Sequence, residues 1–212
     1  MSILRLSTTE KLEPGQGTAL IMVGSFAPVH EGHFDAMMSA ERTMIAKGED
    51  ISTLVFAPNS DSYVSTKLND TDGSWNFQRR ISEFMKFDFQ FRASAYVDDM
   101  TGMTPPEKSI SEEVIDTVER QLGIQASKAV LVVGSDQVAS MRPHLETNRA
   151  ICVIRPGHIN KVLYHSNEDW FKEAVNQGRY ILTERQNRVK DINSTEIRAN
   201  LARLAMRINS HD

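Results

Sequence analysis

Two histidines near one end of the chain, and a group of hydroxyls with an arginine near the other, are the residues best suited to chemistry. The string GSFAPVHEGH, residues 24–33, sets His30 and His33 three residues apart behind an apolar run. At that spacing both imidazoles can point at one phosphate, and a helix start there would add free amides and the positive end of its dipole. Gly24 allows close backbone approach, Pro28 fixes the turn, and Gly32 with His33 opens the helix. Two plainer readings stand beside this one: solvated histidines in a turn, and a zinc pair without an evident third ligand. Further on, DINSTEIRANL gathers Ser194, Thr195 and Arg198 around the first turn of a helix whose buried face is Ile197, Leu201, Leu204 and Ile208. Hydroxyls, amides and a guanidinium together suit the outer phosphates of a nucleotide. An ordinary cap, Asn193 with Glu196, fits the same segment and is compatible with that use.

The elements that position these residues read as alternating strands and helices. TALIMVGSF is a short buried strand after Gly17, HFDAMMSAERTMIAKG a helix stopped by Gly48, and ISTLVFAP a second strand closed by Pro58. Such a unit implies a parallel sheet with a right-handed crossover. The alternation continues through a helix in NFQRRISEFMKF, a strand in FRASAYV, a helix in ISEEVIDTVERQL and a strand in KAVLVVG. In the third helix Ile110, Val114, Val118 and Leu122 share a face, and Ser109 with Glu112 forms a capping-box signature. A strand in AICVIRP, an edge strand near RYILTE and a final helix from Ser194 complete a doubly wound, mostly parallel α/β sheet of Rossmann-like type. Residues 1–17 read as an N-terminal arm and 18–212 as one catalytic domain. The segment NSDSYVSTKLNDTDGSW lacks regular pattern, and a loop of that length is expected to be functional or mobile.

Ligands in open parallel sheets sit beyond the C-terminal strand ends, where GSFAPVHEGH falls. That string resembles the GxFxPxHxGH signature of the nucleotidylyltransferase superfamily, and INSTEIR resembles its second signature, ISSTxxR, in the correct order. APNSDSY after the second strand and GSD after KAVLVV resemble the corresponding parts of nicotinamide and nicotinate mononucleotide adenylyltransferases. The resemblance runs from about Thr18 to Leu204. It implies that Gly24, Ser25 and Phe26 face the nucleotides, with Ser25, Phe26 and Lys67 on the acceptor side. It further implies that His30 and His33 contact the reacting phosphates, with Lys67 reaching in from the long segment. Asp136 would bind a ribose that Gly134 lets approach, and Ser194, Thr195 and Arg198 would hold the outer phosphates of ATP. Magnesium would bridge the triphosphate largely through water. The implied reaction is in-line attack of the acceptor phosphate on the α-phosphorus of ATP, without a protein nucleophile. Nearness to the triphosphate favours charged imidazolium at His30 and His33.

The acceptor is where this sequence leaves the family's usual form. Pyridine mononucleotide adenylyltransferases commonly place a tryptophan shortly after the third strand, whereas this chain reads YVDDMTGMTPP. Met100, Met103, Trp75 and Trp170 are candidates to cover the ring. Other acceptors, such as phosphopantetheine, a phosphorylated alcohol or a sugar phosphate, and a non-catalytic nucleotide-binding role, remain alternatives. Arg79 and Arg80 read as a solvated helix face, the two tryptophans as packing residues, and His144, His158 and His165 as surface histidines. Asp98 and Asp99 read equally as a polar strand end or a carboxylate pair for a metal.

Composition narrows the function classes. The chain has 212 residues, 40% hydrophobic, with 24 basic against 28 acidic side chains. That balance argues against a nucleic-acid backbone or an anionic membrane as partner, and points to small molecules, here ATP and a pyridine mononucleotide, with room for a homo-oligomer. Cys152 is the only cysteine and sits in an apolar run, as a core hydrophobe would. MSILRLSTTEKLEPGQG alternates apolar and charged residues, unlike a signal peptide, so the cytoplasm is the expected compartment.

Overall fold

A computed structural model of the chain describes residues 3–6, 16–69, 73–87, 91–98, 110–185, 195 and 197–199. Its seven strands, numbered along the chain, are β1 (Ile3–Arg5), β2 (Thr18–Gly24), β3 (Ile51–Pro58), β4 (Ser94–Asp98), β5 (Ala129–Gly134), β6 (Arg149–Ile154) and β7 (Tyr180–Glu184). They form one sheet in the order β1-β4-β3-β2-β5-β6-β7. The six from β2 to β7 run parallel, and β1 lies antiparallel on β4, with Leu4 opposite Val97. The doubly wound sheet expected from the sequence is therefore present, with part of the N-terminal arm added as an edge strand. Chain order reverses between β2 and β5, which pair directly, and this switch point leaves a crevice at their C-terminal ends.

Burial on both faces explains why the central strands read as unbroken apolar runs. Leu20, Met22, Leu54 and Phe56 point to one face, where α1 (Glu31–Ala46) contributes Phe34, Met37 and Met44, and α3 (Phe77–Phe84) adds Phe77, Ile81 and Phe84. Ala19, Ile21, Val55 and Ala57 point to the other, against Val114 and Val118 of α4 (Ile110–Leu122) and Phe171 of α6 (Asp169–Asn176). The two residue sets alternate along each strand, as the period of two demands. Cys152 lies buried in β6, where burial pushes its thiol up to about 11. No helix among the described residues is long and apolar enough to cross a membrane.

The patternless segment 59–75 contains a helix after all. α2 (Asp61–Leu68) starts where the Ser60 hydroxyl accepts the Tyr63 amide at 3.3 Å, and it ends at Asn69 in the left-handed region with φ 52°. Only Val64 of α2 is buried, so no apolar periodicity marks it. Among the described residues a further short helix, α5 (Ile159–Leu163), lies between β6 and α6. In the final segment Thr195 and residues 197–199 are helical, as expected. Ser109, Asn193, Ser194 and Glu196 lie outside the described residues.

One buried carboxylate ties α1 to the approach of β4. Glu41 is 2% exposed and accepts the Ala93 amide at 2.7 Å, and burial raises its pKa above the ordinary value. Glu41→Ala should cost about 1–3 kcal/mol in urea unfolding, because the amide loses its acceptor, whereas Glu41→Gln keeps one. The proton is held more tightly in the folded state, so the stability of the native protein relative to Glu41→Gln should be highest in acid. It should decline as pH rises through the raised value, as unfolding titrations at several pH values would measure.

Candidate active site

At the switch point a cavity of about 310 Å³ opens between the ends of β2, β5 and β6, the start of α1 and the last described helical residues. The first wall is built by α1 itself. His30 is its cap: His30 Nδ1 accepts the Gly32 amide at 3.1 Å, and the backbone amide of His30 donates to His33 Nδ1 at 3.2 Å. The two histidines thus fill the places that Ser or Thr and Glu or Gln occupy in an ordinary capping box. Their rings stack at 3.7 Å between centroids. A Cβ on Gly32 would come within 2.9 Å of the His30 ring, so only glycine permits this closure.

These bonds fix the chemistry of the pair. With each Nδ1 accepting a hydrogen bond, a neutral ring carries its hydrogen on Nε2, and both residues line the cavity. Burial, and then the charges of His30, Arg155 and Arg185, hold the His33 pKa well below the ordinary value. Without nucleotide His33 is therefore an uncharged donor. Phe26 supports it from below: its ring is buried against Phe84 and Phe56 and meets the His33 ring edge-on at 4.8 Å. Phe26 lines the cavity, and its ring belongs to the core.

The remaining sequence-derived candidates converge on the same space. Gly24, Ser25, Lys67, Gly134, Asp136, Thr195 and Arg198 all line it, and Ser194 lies outside the described residues. Lys67, in the last turn of α2, donates to the Ser25 hydroxyl at 3.4 Å. Arg198 donates to the Ala27 carbonyl and, at 3.1 Å, to the Thr195 hydroxyl, which ties the final segment to the loop after β2. A Cβ on Gly134 would lie 2.6 Å from Asp136 Oδ1, so the glycine makes room for that carboxylate.

The cytidylyltransferase-like family pattern matches residues 21–200, a stretch that holds both motifs and every cavity residue named above. The chain belongs to the cytidylyltransferase-like family. Its general activity is accordingly nucleotidyl transfer. Comparison with curated proteins gave no significant match.

The cytidylyltransferase-like site includes cations that the sequence reading passed over. Arg155 and Arg185 directly follow β6 and β7 and line the cavity, so the strand-end rule that singled out GSF and GSD would have found them too. Arg185 is paired with Asp35 of α1, both side chains being buried. Arg80 was misread. Its side chain is 0% exposed instead of solvated, and it donates to the Trp75 carbonyl at 2.9 Å, to the carbonyls of Ser25 and Asn59 at 3.0 and 2.8 Å, and to the Asp61 carboxylate at 2.8 Å. The loops after β2 and β3 and the start of α2 are thereby fixed to one guanidinium. Arg79 alone shows the expected solvated face, with its guanidinium 4.3 Å from the Trp75 ring centroid.

A second cavity, of about 690 Å³, adjoins the first, and Val23, Val132, Val133 and Gln137 line both. Asn59, Ser60, Tyr63 and Thr66 bring polar groups from the β3 end and α2, Ser111 from α4, and His144 from the loop before β6. Its lining carries no lysine, arginine, aspartate or glutamate among the described residues. Trp75 is packed with Ala27 and Val64, and Trp170 donates to the Glu168 carboxylate beside Phe171, so neither lines either cavity. His165 also pairs with Glu168, Asp98 is buried in β4, and Asp99, Met100 and Met103 lie outside the described residues. Among the described residues no group of three or more His, Cys, Asp or Glu side chains is placed to hold a metal ion.

Arg80→Ala should cost about 3–5 kcal/mol in denaturant unfolding, since it leaves buried acceptors and the Asp61 charge unmatched. Arg80→Lys cannot reproduce the planar fork and should recover only part of that loss. Arg79→Ala, which removes a solvent-exposed cation, should cost less than about 1 kcal/mol in the same measurement.

Proposed function

We propose that this cytidylyltransferase-like protein transfers the adenylyl group of ATP to nicotinamide or nicotinate mononucleotide, forming the dinucleotide and pyrophosphate. The observation that carries the proposal is the pair of adjoining cavities at the switch point, one ringed by cations and hydrogen-bond donors and the other lined by apolar and uncharged polar residues. A triphosphate suits the first, and the uncharged end of an acceptor nucleotide suits the second. The order of GSFAPVHEGH, APNSDSY, GSD and INSTEIR supports the pyridine nucleotide branch.

The chemistry needs no covalent intermediate with the protein. An oxygen of the acceptor phosphate attacks the α-phosphorus, the bond from that phosphorus to the bridging oxygen breaks, and the electron pair leaves with pyrophosphate. His30 and His33 offer Nε2 donors where charge builds on the phosphoryl oxygens, and Thr195 and Arg198 hold the departing pyrophosphate. Lys67 reaches the acceptor phosphate beside Ser25. Asp136 is the one carboxylate lining the first cavity among the described residues, a donor set that fits magnesium held by phosphates and water. When bound, the ion would neutralise charge on the triphosphate.

The family description favours one further reading, transfer of cytidylyl from CTP to a phosphorylated alcohol or sugar phosphate. A pyrophosphate-release assay with ATP or CTP against a panel of phosphorylated acceptors decides between the two. Pyridine dinucleotide should form only with ATP; product from CTP and an unrelated acceptor alone would overturn the proposal. The uncharged second cavity leads us to expect the amide acceptor to exceed the carboxylate in kcat/KM by about tenfold or more, since a buried carboxylate would find no lysine or arginine there among the described residues.

Capping and catalysis should separate at His30. His30→Ser retains a cap acceptor and should keep thermal stability within about 1 kcal/mol, whereas His30→Ala should lose about that much. Both should lower turnover at least about a hundredfold, because both remove the Nε2 donor. Arg198→Lys should weaken ATP use while preserving the fold, by loss of the planar fork.

A further inference from the structure

The cations around the first cavity are not equivalent. Arg185 faces the carboxylate of Asp35 in a buried pair, so its charge is already balanced. Arg198 is tied to the Ala27 carbonyl and the Thr195 hydroxyl, and Lys67 to the Ser25 hydroxyl. Arg155 differs from all of them: it lines the cavity, it is partly buried, and among the described residues its side chain has no hydrogen bond or ion pair. Its place in the fold is fixed by β6, which ends one residue before it and pairs with β5 as far as Gly134 opposite Val153. The guanidinium is close enough for its charge to act on His33, which lines the same cavity.

A partly buried cation beside other positive groups is unfavourable in the empty protein, and an anion relieves it. His33 does not provide that charge, because its Nδ1 accepts the His30 amide and burial keeps its ring uncharged. We propose that Arg155 is a further catalytic residue, which contacts the phosphates of the nucleotide directly and supplies positive charge that His33, as an uncharged donor, does not. The proposal rests on the nucleotidyl-transfer reading of this site. Arg198 and Arg155 then both grip the phosphates, one from the final helical segment and one from the end of β6. A planar fork suits that task better than a point charge.

The test uses the whole protein, with inorganic pyrophosphate as the probe in calorimetric titrations, since pyrophosphate needs no acceptor and no turnover. Arg155→Ala and Arg155→Met should weaken pyrophosphate binding at least about tenfold without loss of thermal stability, and Arg155→Lys should recover part of it. In the ligand-free protein, the His33 imidazole resonance should titrate at higher pH in Arg155→Ala than in the native chain, because a repelling charge has gone. Unchanged pyrophosphate affinity in Arg155→Ala, in a protein whose native form binds pyrophosphate, overturns the role of Arg155 and leaves the transfer reading intact. A native protein that binds neither pyrophosphate nor ATP overturns the transfer reading and this inference with it.

Discussion

The reciprocal hydrogen bonds between His30 and His33 are the constraint on which the site depends. A helix start leaves backbone amides without partners, and here two imidazoles satisfy them in place of the usual hydroxyl and carboxylate. That substitution has two consequences at once. It closes the first turn of α1 at the switch point between β2 and β5, and it fixes which ring nitrogen of each histidine can donate to a ligand. Structure and chemistry are joined in the same pair of bonds. Gly32 is needed because the ring of His30 lies where a side chain would be, and Phe26 is needed because its ring holds that of His33.

Around this pair the fold places charge where the sequence as a whole has little to spare. The chain carries a formal net charge of −4, yet Lys67, Arg155, Arg185 and Arg198 surround one cavity. They arrive from four separate segments, each delivered by the C-terminal end of a strand or by a helix beside it. The concentration is a property of the doubly wound topology, which directs the ends of all parallel strands to one edge. Arg80 does different work. It lies beneath the site and holds the loops after β2 and β3 through their carbonyls, so the residues above it do not have to position themselves.

The sheet and the long helices were legible in the sequence because burial leaves a periodic or continuous apolar mark, as in TALIMVG, ISTLVFAP and the face of α4. The first cavity was legible in part because Gly24, Ser25, Gly134 and Asp136 lie at or just after the ends of those strands. What escaped lacked such a mark. α2 buries only Val64, so its helical nature lies in a serine cap and a left-handed asparagine. Arg80 sits in a strongly amphipathic helix, where a charged residue reads as solvated; its acceptors are carbonyls of distant loops, which no spacing records. At Gly134 a second constraint, the proximity of the Asp136 carboxylate, appears only in three dimensions.

The central claim is that the crevice beside the histidine cap receives the phosphates of a nucleotide. The structure of the protein bound to a non-hydrolysable ATP analogue with magnesium tests it most directly. The account predicts the triphosphate between the start of α1 and the Thr195–Arg198 turn, with Nε2 of His30 and of His33 within about 3 Å of phosphate oxygens. Phosphates bound elsewhere, or histidines that give up their backbone amides to turn Nδ1 toward the ligand, would contradict it.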